Sequence, residues 1–95
     1  MNKDQIVTEF RALITCYRWL ETVYQIPGGD FRIIDKALDG LSETLANEEY
    51  RLLDLLAQQG FDDATQEDSV YQNEFVGNPD MMEEWLRVEL ERMGA

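Results

Sequence analysis

The chain has no histidine, one cysteine, two prolines, and eight lysines and arginines against twenty aspartates and glutamates. Each scarcity excludes something. Without histidine there is no Ser-His or Cys-His nucleophile pair, no histidine-containing zinc site and no ordinary general base for neutral pH. A single cysteine leaves no internal disulfide, which fits a reducing, cytoplasmic setting. Cys16 is therefore expected to pack as a small apolar residue. No run of about 18 apolar residues exists, so no membrane span is expected. The opening MNKDQIVTEF meets Asp4 and Glu9 before any long apolar run, unlike a secretory signal. PGG at 27–29 is too short for a phosphate loop, and no lysine follows it. These gaps leave too thin an inventory for catalysis, and no enzyme and no cofactor are expected.

What is abundant is acid. At 95 residues the chain is expected to form one domain, 1–95, with a net charge of −12. The charge is uneven. Residues 1–60 carry ten acids and six bases, whereas residues 61–95 carry ten acids and two bases. The stretch FDDATQEDSVYQNEFVGNPDMMEEW, residues 61–85, holds Asp62, Asp63, Glu67, Asp68, Glu74, Asp80, Glu83 and Glu84 and no base at all. Solubility alone gives no reason for such segregation, and a face that meets a cationic partner does. Duplex nucleic acid and anionic membrane surfaces would repel the chain. DDATQED at 62–68 is rich in oxygen ligands but lacks the glycine and closing glutamate of a calcium loop, so no metal site is expected.

The apolar pattern is helical. Ile6, Phe10, Leu13, Ile14, Tyr17, Leu20 and Tyr24 recur at steps of three and four, predicting a helix over 4–24. Pro27, Gly28 and Gly29 stop it, and Asp30 is the expected cap of a second helix over 31–46. Asn47 is expected to break the chain before a third helix over 48–59, where Glu48 and Glu49 suit the first turn. Helices two and three would then form an antiparallel hairpin, with Gly60 as the stop. Thr65 and Asp68 resemble a capping box for a short helix over 66–75, with a strand through SVYQNEFV as the alternative. Asn78 and Pro79 open a last helix running to about residue 93. The expected fold is an all-α compact bundle of four main helices with a short fifth near 66–75.

Two helices carry more apolar surface than one neighbour needs. Ala12, Cys16, Trp19 and Val23 form a second stripe on the first helix, which places that helix either centrally or in an interface. On the last helix Met81, Met82, Trp85, Leu86 and their neighbours cover about half the circumference. Beside them Asp80, Glu84 and Glu91 form an acidic edge, partly neutralised by Arg87. Apolar contact supplies affinity, and charge steers encounter. The expected function is a non-enzymatic acidic module that occupies a basic, nucleic-acid-binding surface of a protein partner. That partner would be a nuclease, a CRISPR or restriction complex, or a transcription factor, and the module an inhibitor or DNA mimic of the phage anti-defence or nuclease-immunity kind. The expected contacts are the eight acids of 61–85 with Glu91, and Trp19, Met81 and Trp85 as apolar anchors. The alternative is a subunit or assembly factor of a homo- or hetero-oligomer, using the surplus apolar faces.

Overall fold

The computed structural model describes residues 1–29, 31–32 and 34–94. All regular structure among them is helical: α1 (Lys3–Tyr24), α2 (Asp35–Gln58), a single π-helical turn (Tyr71–Phe75) and α3 (Pro79–Arg92). None of these helices is long and apolar enough to cross a membrane.

α1 starts at a reciprocal capping box. Asn2 Oδ1 accepts from Gln5 N at 2.9 Å, and Gln5 Oε1 accepts from Asn2 N at 3.0 Å. Its apolar stripe is buried from Ile6 to Tyr17, but Leu20 is only half-buried and Tyr24 is exposed. The reason lies in what covers it. α1 is the middle helix, with α2 along one edge of the stripe and α3 along the other. α3 runs antiparallel to α1: Asp80 and Glu83 meet Arg18, and Trp85 meets Phe10. α3 therefore begins level with Arg18, and beyond it α1 and α2 continue as a two-helix tip.

The expected break at Asn47 is absent. Residues 35–58 form one helix of 24 residues, so the two middle helices and their hairpin are replaced by a single α2 pairing with α1. An exposed asparagine in a helix interior costs well under about 1 kcal/mol. Against that stands a buried stripe of Leu38, Leu45, Glu49, Leu52, Leu53 and Leu56, which is continuous only if the helix runs through Asn47. The start also moves, from the expected residue 31 to Asp35, and Phe31 instead turns back edge-on to Tyr24 with centroids 5.9 Å apart. The expected cap, Asp30, lies outside the described residues. Gly60 does end the helix. It adopts φ +99°, its N–H bonds Ala57 O, and Phe61 N–H bonds Leu56 O at 3.1 Å, a Schellman closure.

Between Gly60 and Asn78 the expected helix over 66–75 shrinks to the π-turn, closed by Val76 N–H on Tyr71 O at 3.2 Å. No strand forms there. Thr65 does not cap a helix; its N–H and hydroxyl both donate to Asp63 Oδ1. The anticipated pairing of Tyr71 with Phe75 is present, edge-on at 5.8 Å. α3 opens as read: Asn78 Oδ1 accepts from Met81 N at 3.2 Å, and Pro79 takes the first turn. Phe10, Ile6, Leu53, Leu56 and Met82 are fully buried where the three helices and the connecting segment meet.

Candidate partner-binding surface

The acids of 61–85, taken with Glu91, separate into two groups. The first is on α3 itself. Met82, Leu86 and Glu89 face inward at steps of four and three, which turns Asp80, Glu83, Glu84 and Glu91 outward. These four line one groove of about 710 Å³ between α3 and α1, beside Leu86 and Leu90. They are not bare. Arg18, some sixty residues earlier in the chain, bonds Asp80 at 3.0 Å and Glu83 at 2.6 Å. Arg87 pairs with Glu84, whose carboxyl it holds below the usual range, and with Glu91 at 2.7 Å. The absence of a base within the stretch predicted unpaired carboxylates; for Asp80 and Glu83 the tertiary contact with Arg18 corrects that, while the pairing by Arg87 is local to α3.

The second group lies on the segment joining α2 to α3. Asp62 stands 3.9 Å from Arg92, the limit of an ion pair. Asp63 accepts from Thr65 and from Gln66 Nε2 at 2.8 Å, and these bonds, that of the Thr65 hydroxyl foremost, lower its pKa. Glu67, Asp68 and Glu74 are exposed, and their side chains make no ion pair among the described residues. This segment is held from beneath. Phe61, Ala64 and Tyr71 are buried, and Ala64 O accepts from Gln72 Nε2 at 2.7 Å. Ser69 Oγ accepts from Gln72 N at 3.1 Å and so caps the π-turn.

Two buried glutamates fix that segment, and neither was expected to do so. Glu49, 2 % exposed, accepts from the Tyr17 hydroxyl at 2.8 Å, the Tyr71 hydroxyl at 2.6 Å and Gly77 N at 3.2 Å. One carboxylate thus ties α2 to α1, to the π-turn and to the residue preceding the α3 cap. All three neighbours donate, the arrangement an ionised carboxylate satisfies. Burial first, and then the Glu49 carboxylate, push both phenols far above their ordinary pKa, so they remain donors. Glu89 plays a matching part at the other end. It accepts from Asp62 N at 2.7 Å and from Arg92 at 2.9 Å. Burial acts to raise its pKa, but Arg92 and the Asp62 N–H outweigh that and hold it below the usual range. The sequence carried a signal for both. Glu49 stands four residues after Leu45 and four before Leu53, and Glu89 three after Leu86, each on a buried stripe.

The apolar anchors are not gathered into one patch. Trp85 is half-buried, with its ring against Tyr71 at 5.1 Å, Phe10 at 5.7 Å and Phe61 at 6.1 Å. Met81, one helical turn before it, is exposed. Trp19 lies apart from both, 69 % exposed on the α1 stripe whose Ala12 and Cys16 line a groove with α2. Being the middle helix does not cover that stripe, because α2 and α3 occupy the Ile6–Tyr17 side. Among the described residues no group of three or more acidic or cysteine side chains is arranged to hold a metal ion. Comparison with family models, curated proteins and solved structures finds no match to this chain.

Proposed function

We propose that this chain is a non-enzymatic acidic binding module that occupies a basic, nucleic-acid-binding surface of a protein partner in the cytoplasm. It acts there as an inhibitor that stands in for nucleic acid. The partner class is a nuclease, a CRISPR or restriction complex, or a transcription factor, as for phage anti-defence and nuclease-immunity proteins. The observation that carries this reading is the connecting segment. Glu67, Asp68 and Glu74 make no ion pair among the described residues, yet they stand on backbone anchored by Tyr71, Ala64 and the Glu49 bonds. Fixed carboxylates without partners repel one another. A partner that brings guanidinium and ammonium groups relieves that repulsion and loses little entropy in ordering the segment. The groove acids add charge that is already half answered, because a partner's arginine would compete with Arg18 and Arg87 for them.

The test is capture of a partner by tagged chain, repeated with Glu67→Lys, Asp68→Lys and Glu74→Lys combined. Binding that salt weakens, that duplex DNA displaces and that the triple variant loses at least about tenfold, equivalent to about 1.4 kcal/mol, is the expected outcome. Unchanged binding by a triple variant with native helicity would remove the proposal. A second reading, a subunit of an assembly, is favoured by one observation, the exposed Trp19.

A further inference from the structure

A cavity of about 310 Å³ opens between α2 and the segment that carries the π-turn. At about 30 Å³ for a water molecule, it has room for about ten heavy atoms, enough for one long side chain. Asn47, Glu49, Tyr50 and Leu53 line it from α2, and Gln72 and Val76 from the other side. Tyr50 and Val76 are 58 % and 46 % exposed, so the apolar walls reach solvent, whereas Glu49 and Leu53 are buried. Glu49 sets the chemistry of this cavity. Its hydrogen-bond donors, the Tyr17 and Tyr71 hydroxyls and the Gly77 N–H, are all neutral. They satisfy the carboxylate oxygens and leave its charge in place. Among the described residues no lysine or arginine pairs with it. A buried charge without a counter-ion is costly, and a cation brought beside it recovers part of that cost. Gln72 adds an acceptor: its Nε2 is committed to Ala64 O at 2.7 Å, which leaves Oε1 as the free end of the amide.

The guest these walls fit has an apolar stem and a cationic head. We propose that the cavity is the socket for one arginine side chain of the basic protein partner. Its stem lies against Leu53 and Val76, its guanidinium stacks on the Tyr50 ring, and Gln72 Oε1, Asn47 and the charge of Glu49 hold the head. Arginine is the better fit than lysine for three reasons. A planar guanidinium stacks on an aromatic ring, it presents donors in several directions at once, and it is more weakly hydrated than an ammonium and so enters a partly buried site at lower cost. Arginine is also enriched among the residues that dominate interface energies, and those sit in desolvated pockets. The inference rests on the proposed partner reading and narrows it. One wall of the socket, Gln72 and Val76, belongs to the segment that carries Glu67, Asp68 and Glu74. A partner drawn to those carboxylates therefore meets the socket on the same segment.

Amide NMR of the full chain, titrated with arginine blocked at both ends, tests it. The expected result is saturable shifts at the Asn47 and Gln72 side-chain amides and at Gly77 N–H, which bonds Glu49, with a Kd on the order of 1 mM for a single side chain. Blocked lysine should bind at least about threefold more weakly, and blocked citrulline, the uncharged isostere, should give no saturable shift. Tyr50→Ala, at an exposed helix position, should weaken arginine binding at least about threefold with unchanged circular dichroism. Absence of saturable shifts at Asn47, Gln72 and Gly77 overturns the proposal. So do equal shifts with citrulline or lysine, and so does binding that Tyr50→Ala leaves unchanged. Failure of the socket is separable from failure of the partner reading. Shifts confined to residues 67, 68 and 74 would overturn the socket alone. Saturation of the socket, together with partner capture that survives the triple lysine variant, would overturn the partner reading alone.

Discussion

The α3 end of the molecule and the hairpin tip are built from the same two helices, yet they bury opposite things. At the α3 end a carboxylate, Glu49, is 2 % exposed. At the tip an indole, Trp19, is 69 % exposed. Hydropathy alone would exchange them. Cover and hydrogen bonding decide instead. α3 and the connecting segment close over α1 and α2 only as far as Arg18, and there Tyr17, Tyr71 and Gly77 supply three donors to Glu49. A buried polar group with its partners in place is tolerated, and an apolar group without a neighbour stays outside.

The largest way to break this contrast is Glu49→Leu. The replacement fits the site in size but leaves two phenols and one N–H without an acceptor, a loss of about 4 kcal/mol. Urea denaturation checks the value, and hydrogen exchange should show faster exchange over 71–78 than over α1. Stability equal to the parent chain would mean that water replaces the carboxylate. A smaller effect is expected at Glu89. Its folded pKa is depressed, so its contribution is complete above the ordinary glutamate pKa and is lost as pH falls through the lower folded value. Glu89→Gln should therefore lower the melting temperature at pH 7, and the gap to the parent should narrow as pH falls below about 4.5. A gap independent of pH would contradict the ion-paired state. The smallest effect is expected at the tip. Trp19→Ser, measured where the chain is monomeric, should change unfolding free energy by no more than about 0.5 kcal/mol. A loss several times that size would place the indole in the monomer's own core.

Local signals made much of this legible. The step pattern from Ile6 to Tyr17 marked α1 and its buried side, and Asn78 with Pro79 marked the start of α3. The misplaced features share a cause. Asn47 read as a break because a local preference was set against a stripe whose continuity depends on a buried glutamate. Residues 66–75 read as a short helix because Thr65 and Asp68 matched a cap, while Asp63 offered Thr65 a nearer partner. Asp80 and Glu83 read as unpaired because their cation, Arg18, is about sixty residues away in sequence.

By itself the sequence determined a helical, strongly acidic chain, the outer limits of α1 and α3, the stop at Gly60 and the crowding of carboxylates into residues 61–85. Spacing and charge are properties of neighbours along the chain, and a linear pattern records them. Tertiary structure alone decided which carboxylates are neutralised, which are buried and which stand free, and which apolar stripe is left uncovered. Those outcomes depend on donors, cations and covering surface brought from distant parts of the chain.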